Sequence, residues 1–234
     1  MSGDRAAEVA AGLDRVRRRI AAAETAAGRP AGDVVLVVVT KYFPASDVRL
    51  LADLGVAEVA ENRHQEASAK SAELAGLGLR WHFVGGLQSN KAAAVASYAD
   101  VVHSVDRAKL VAGLSRGATE RGRDLDVLVQ VSLDPPGAAG RSGADPSDVP
   151  ALADALAEAP GLRLRGAMAV APLGEDPVPA FARLAEVAAR LRADHPGATW
   201  LSAGMSGDLE AAVAAGATHV RVGSAVLGPR PAVQ

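Results

Sequence analysis

The sequence of 234 residues contains no cysteine, which excludes disulfides, thiolate catalysis and zinc sites built on Cys. Aromatic residues are scarce, at 3%, so the apolar mass is Ala, Val and Leu, small side chains that let helices pack closely on strands. There is no excess of positive charge. The formal net charge is -2, whereas a general nucleic-acid binder carries a basic face and a high pI. No apolar run approaches the roughly 20 residues that span a bilayer. Acids and bases recur through the first nineteen residues, with no secretory pattern. A cytoplasmic protein without nucleic-acid or membrane partners is expected. Lysine is also rare: Lys41, Lys70, Lys91 and Lys109 stand against twenty-one arginines. What is plentiful is hydrophobic residues, 49% of the chain, enough for one large domain with a full core.

The first segment, 4–27, carries Val9, Leu13, Val16 and Ile20 at helical spacing and ends at Gly28-Arg29-Pro30. Arg15, Arg17, Arg18 and Arg19 share it with Asp4, Glu8 and Asp14 and read as a solvated face. The next run, 34–39, is apolar and mostly β-branched with no polar alternation, as in strands buried on both faces of a parallel sheet. From there helices and strands alternate. Strands are predicted at 57–60, 81–84, 101–103, 126–131, 162–169, 199–201 and 219–222, eight in all. The helices fall at 45–54, 64–75, 91–98, 107–121, 150–158, 179–193 and 207–215. This is the count of a single (β/α)8 TIM barrel spanning residues 1–234, with an extra N-terminal helix over one flank. A doubly wound open sheet is the alternative, but it would show a Gly-rich turn after its first strand, where this chain has Thr40-Lys41-Tyr42-Phe43-Pro44. The Gly-, Pro- and Asp-rich stretch 133–148 reads as a long βα loop on the active-site side, with Arg141 placed to shield the site.

Lys41 follows the first strand directly and so stands at the C-terminal mouth, where barrels of this kind keep their catalytic groups. A simple cation there could be Arg. An amine that condenses with a carbonyl cannot, because guanidinium stays protonated. A Lys whose stem snorkels out of a strand end is the other reading. At the far end of the chain, Ala203-Gly204-Met205-Ser206 and Gly223-Ser224 follow strands seven and eight, where barrels often bind phosphate. Gly204 and Gly223 would let the backbone come close to the oxygens, and Ser206 and Ser224 would add hydroxyl donors. The simpler reading of these residues is an N-cap and a turn. Arg221, next to last in strand eight, can point into the mouth, where a buried cation needs a partner. That partner is either an acidic side chain or the ring nitrogen of a pyridine, which Arg would keep unprotonated. An amine, a phosphate cradle and a cation between them match the outline of pyridoxal phosphate (PLP).

At these residues the sequence resembles the pyridoxal phosphate homeostasis proteins, small fold-type-III PLP barrels related to the N-terminal domain of alanine racemase. The resemblance runs from about 34 to 230. It is carried by Val39 to Pro44, Glu61-Asn62, Trp81 to Lys91, His103 to Asp106, Arg165 to Ala169, Leu201 to Ser206 and Val220 to Ser224. It implies Lys41 as the Schiff-base residue, Ser206, Gly223 and Ser224 at the phosphate, Arg221 at the ring nitrogen, and Asn62 and Met168 near the ring. Lys91 is a candidate secondary cofactor site, and His82 reads as a core histidine. The sequence departs from the family at Arg63, where a tyrosine is usual, and at Gly86, Ala203 and Leu227.

Alanine racemase uses a second base, a Tyr from a separate C-terminal domain. The present sequence ends at Gln234 and has two tyrosines. Tyr98 is expected inside a helix away from the mouth, and Tyr42 is expected to point away from Lys41. The expected function is therefore non-catalytic PLP binding, buffering and transfer to PLP-dependent apoenzymes, by a monomer. A weak or specialised amino-acid racemase is the alternative, with His64, His82 or His103 as its second proton donor. A Schiff-base aldolase acting on a sugar phosphate without PLP is a third reading.

Overall fold

The computed structural model describes residues 2–134 and 142–229; Arg141 lies outside them. Eight parallel strands close a barrel in sequence order. They are β1 (Val35–Val39), β2 (Glu58–Glu61), β3 (Arg80–Phe83), β4 (Val101–Val105), β5 (Leu125–Gln130), β6 (Leu162–Met168), β7 (Trp200–Ser202) and β8 (His219–Val222). Closure is made by β8 against β1, with Val35 opposite His219 and Val37 opposite Arg221. Helix α1 (Ser2–Ala26) precedes the barrel. The helices α2 (Ala45–Asp53), α3 (His64–Glu73), α4 (Ala92–Ala96), α5 (Val111–Arg121), α6 (Val149–Glu158), α7 (Pro177–Asp194), α8 (Leu209–Ala214) and α9 (Ser224–Leu227) follow β1 to β8 in turn. No helix among the described residues is long and apolar enough to cross a membrane.

The alternation of strand residues explains the layering. In β1, Val37 and Val38 are both fully buried. Val38 joins the shell between strands and helices, and Val37, the pairing neighbour of Arg221, faces inward. The aliphatic core is that outer shell. Besides Val37, the interior holds a small apolar cluster, Val101, Leu128 and Met168, and buried polar side chains that include His82, His103, Ser202 and Arg221. At its N-terminal end Asp126 receives Arg163 Nε at 3.0 Å and also pairs with Arg80 and Arg165. The Trp200 ring centroid lies 5.1 Å from the Arg80 guanidinium and 4.9 Å from that of Arg165.

Several element ends differ from the sequence expectation. β4 runs on to Val105. The predicted helix 91–98 is only Ala92–Ala96, because the Ser97 hydroxyl turns back onto the Ala94 carbonyl at 2.8 Å and competes with helix propagation. The helix predicted from 107 opens with a 3-10 turn, Ala108–Leu110. The arginines of α1 are not a merely solvated face. Arg17 donates to the Leu54 carbonyl, and Arg19 pairs with Glu210 at 2.7 Å and donates to the Ser206 carbonyl at 3.0 Å. These contacts tie α1 to the barrel and to the loop after β7.

Candidate functional site

At the C-terminal mouth a cavity of about 490 Å3 is lined by Lys41, Asn62, Met168, Ser206, Arg221, Gly223 and Ser224 together with Tyr42, Gly85, Gln130 and neighbouring apolar residues. All seven site residues named from the sequence therefore meet on one cavity, although they come from loops or strand ends of β1, β2, β6, β7 and β8. The volume falls in the range of small-molecule sites, about 300–1,000 Å3.

Lys41 is half-buried at the rim. Its backbone is set by Thr40, whose N–H donates to the Ala60 carbonyl at 2.9 Å. Thr40 is in turn held by a buried group behind the cavity. Lys70 Nζ donates to the Thr40 carbonyl at 2.9 Å and to Glu61 Oε1 at 2.6 Å, and the Thr40 hydroxyl donates to the same Oε1 at 2.6 Å. Burial drives the Glu61 carboxyl above its ordinary range, against the bonds from Lys70 and Thr40.

Tyr42 corrects an expectation. It does not point away from Lys41. It has φ 71°, left-handed for a non-glycine residue, so strand alternation ends here and the ring turns into the same cavity. Lys41 Nζ lies 5.8 Å from its centroid. Arg63, standing where the family usually has tyrosine, sets its guanidinium 5.3 Å from this ring.

Arg221 is 5% exposed. Its Nη1 donates to the Ser202 carbonyl at 2.8 Å and the Ser202 hydroxyl at 2.7 Å, and its Nη2 to the Ala169 carbonyl at 2.9 Å. Among the described residues no carboxylate lies within ion-pair distance of it. Burial lowers its pKa to about 10, opposed by the charge of Asp208, so it remains a cation at neutral pH. Opposite, the Ser206 and Ser224 hydroxyls face each other at 3.4 Å. Gly223 makes room for strand closure, since a Cβ there would meet the Val39 carbonyl oxygen at 3.0 Å. Gly204 does not line the cavity. Its φ of 89° and the 2.6 Å approach of its Cβ position to Ala212 make it a packing glycine under α8, which corrects the phosphate role read from the sequence.

Sequence reasoning passed over Gly85, the residue that lets the loops after β2 and β3 touch. A Cβ there would fall 2.0 Å from the Asn62 carbonyl oxygen and 2.7 Å from its Cα. Because backbone must yield, Gly85→Ala is expected to cost about 3 kcal/mol in urea denaturation and to displace Asn62. An unchanged midpoint would mean that the two loops part freely.

The histidines considered as second proton donors do not line the cavity. His82 and His103 are 2% and 0% exposed within the barrel, as expected of core histidines, and His64 stacks on Tyr98 with centroids 5.8 Å apart. Lys91 closes a 3-10 turn, Ser89–Lys91, outside the lining. Among the described residues no group of three or more His, Cys, Asp or Glu is arranged to hold a metal ion.

The family model described as alanine racemase, N-terminal domain, matches residues 12–231. A Mycobacterium tuberculosis protein named pyridoxal phosphate homeostasis protein is 46% identical over 246 residues, covering 97% of this chain and 95% of its own. One of the same name from Pseudomonas aeruginosa is 44% identical, with 95% and 96% covered. The structure of PipY from Synechococcus elongatus, solved with PLP bound, matches with a TM-score of 0.82 at 38% identity, over 94% of this chain and 100% of PipY. The chain belongs to the family of pyridoxal phosphate homeostasis proteins, whose barrel is that of the alanine racemase N-terminal domain.

Proposed function

We propose that this protein binds PLP at the mouth cavity, with Lys41 as its Schiff-base residue, and that it holds and hands over the cofactor to PLP-dependent apoenzymes without turning over a substrate. The observation that carries the reading is the gathering of an amine, two facing hydroxyls and a buried guanidinium around one cavity. Relatives at 44–46% identity bear the homeostasis name, and PipY was solved with PLP.

The residues fit the cofactor. Asn62 Oδ1 is buried and has no hydrogen-bond partner while its side chain lines the cavity, so a bound donor would satisfy it. Ser206 and Ser224 offer hydroxyls to the phosphate, and Met168 and Tyr42 offer apolar surface to the ring. Bound PLP supplies an aldehyde for imine formation and a ring that can delocalise charge. Arg221 presents only donors and keeps its proton, which leaves the ring nitrogen unprotonated and the ring a weak electron sink. That favours storage over carbanion chemistry.

The visible spectrum of the purified protein tests the reading. A Schiff-base band, fixed by borohydride onto Lys41, is expected, together with no racemisation or transamination of free amino acids. A colourless protein that takes up no added PLP would move the aldolase reading to the front. One observation favours the racemase alternative: the Tyr42 ring shares the cavity with Lys41. Deuterium wash-in at the α-carbon of an amino acid, abolished by Lys41→Ala, would establish it.

A further inference from the structure

Two imidazoles in the barrel interior have no part in the reading above. Glu58 Oε2 contacts His82 Nε2. His82 Nδ1 lies 2.7 Å from His103 Nε2, and His103 Nδ1 lies 2.9 Å from the Ser202 hydroxyl, which receives Arg221 Nη1 at 2.7 Å. The chain of contacts runs from the first residue of β2 to the mouth end of β8. Its His103–Ser202 step joins β4 to β7, which are not neighbours in the sheet, so it crosses the barrel axis.

The proton on each nitrogen follows from the Glu58 end. Burial raises the Glu58 pKa, but the carboxyl stays below its ordinary value, held there by the hydrogen bond from His82 and the charge of Arg80. A carboxylate only accepts, so His82 carries its proton on Nε2. Burial lowers the pKa of His82, and that of His103 still further, so each ring has one proton. His82 Nδ1 then accepts from His103 Nε2–H, and His103 Nδ1 accepts from the Ser202 hydroxyl, whose oxygen accepts from Arg221. Every contact has one proton and one lone pair. The opposite sense would require a protonated Glu58.

We infer that Glu58, His82, His103 and Ser202 form a positioning relay that locks the inner side of the Arg221 guanidinium and aims its remaining donors at the ring nitrogen of the cofactor. This deepens, and rests on, the PLP reading above. The guanidinium has five N–H groups. Two on Nη1 go to Ser202 and one on Nη2 goes to Ala169. Nε–H and the second Nη2–H remain on a side chain that lines the cavity. Without the Ser202 hydroxyl, the inner side of the guanidinium keeps two carbonyl bonds, Nη1 to Ser202 and Nη2 to Ala169, and loses the third, which sets its tilt.

Nitrogen-15 NMR of the histidine rings in the cofactor-free wild type tests the relay on its own. Both His82 and His103 are expected to be neutral, with the proton on Nε2. A charged ring or an Nδ1–H tautomer at either position would overturn the inference. PLP titration tests the aim of the relay. Ser202→Ala is expected to bind PLP about tenfold more weakly, the scale on which an outer hydrogen-bonding partner acts, and to shift the nitrogen-15 resonance of ring-labelled PLP. If Ser202→Ala keeps the wild-type dissociation constant and ring-nitrogen shift, the positioning role is wrong although PLP binding stands. If the wild type takes up no PLP, the cofactor reading and the aiming role fall together.

Discussion

Lys41→Ala is expected to give a folded, colourless protein. The side chain is half-buried at the rim, with Nζ 5.8 Å from the centroid of the Tyr42 ring. Truncation therefore leaves no core cavity, and stability should move by less than about 0.5 kcal/mol, as at other surface sites. The visible band should vanish completely, because among the described residues no other lysine lines the cavity. Lys70 is committed to Glu61 and the Thr40 carbonyl, and Lys91 lies outside the lining. The serine loops and Arg221 should still hold the phosphate and ring, so equilibrium dialysis should detect PLP bound roughly a hundredfold more weakly, about 2.7 kcal/mol. Lys41→Arg should be equally colourless, since guanidinium keeps the charge and cannot condense. A variant that retains the band and the borohydride label would put the Schiff base on a different lysine, and peptide mapping of the reduced protein would name it.

The parts of this arrangement that depend on short stretches of chain were legible in the sequence. An unbroken β-branched run marks β1 as buried on both faces, and the residue leaving that run must stand at the mouth. Eight βα alternations fix the barrel, and the barrel fixes which loops face its C-terminal end. That is why Lys41, Ser206, Arg221, Gly223 and Ser224 could be named from the pattern; Asn62 and Met168 came from the family resemblance, and all seven are found on one cavity. What was not legible depends on two stretches far apart. His103 and Ser202 are 99 positions apart and meet only because strand tilt brings them to the same level across the axis. Nothing local distinguishes them from ordinary core residues. Tyr42 was misread because alternation was carried one residue too far, past a left-handed turn that no glycine announces. Gly85 looked like part of a motif, and its physical reason lies in the Asn62 carbonyl of another loop.

Lys70 was likewise invisible as a functional support, and its replacement carries a large expected effect on stability. It is 9% exposed and Glu61 is fully buried, so removing the ammonium strands a carboxylate. Loss of one partner of such a pair costs about 3–5 kcal/mol. The pH dependence separates this cause from lost packing. In the wild type Glu61 is already raised above its ordinary value of 4.5, first by burial, and in Lys70→Met, without the opposing charge, it rises further. Between the ordinary and the raised value the folded state binds more protons than the unfolded one, so stability falls as pH increases. The limiting slope is about 1.4 kcal/mol per pH unit. Below the ordinary value Glu61 is protonated in both states and the electrostatic penalty disappears. Lys70→Met should therefore unfold at nearly the wild-type urea concentration near pH 4 and fall behind steadily toward pH 7. A deficit that is constant across that range would assign Lys70 to packing alone. Because Lys70 also fixes the Thr40 carbonyl, PLP should bind more weakly to the variant at neutral pH, even at urea concentrations where it remains folded, since the peptide that aims Lys41 has lost its anchor.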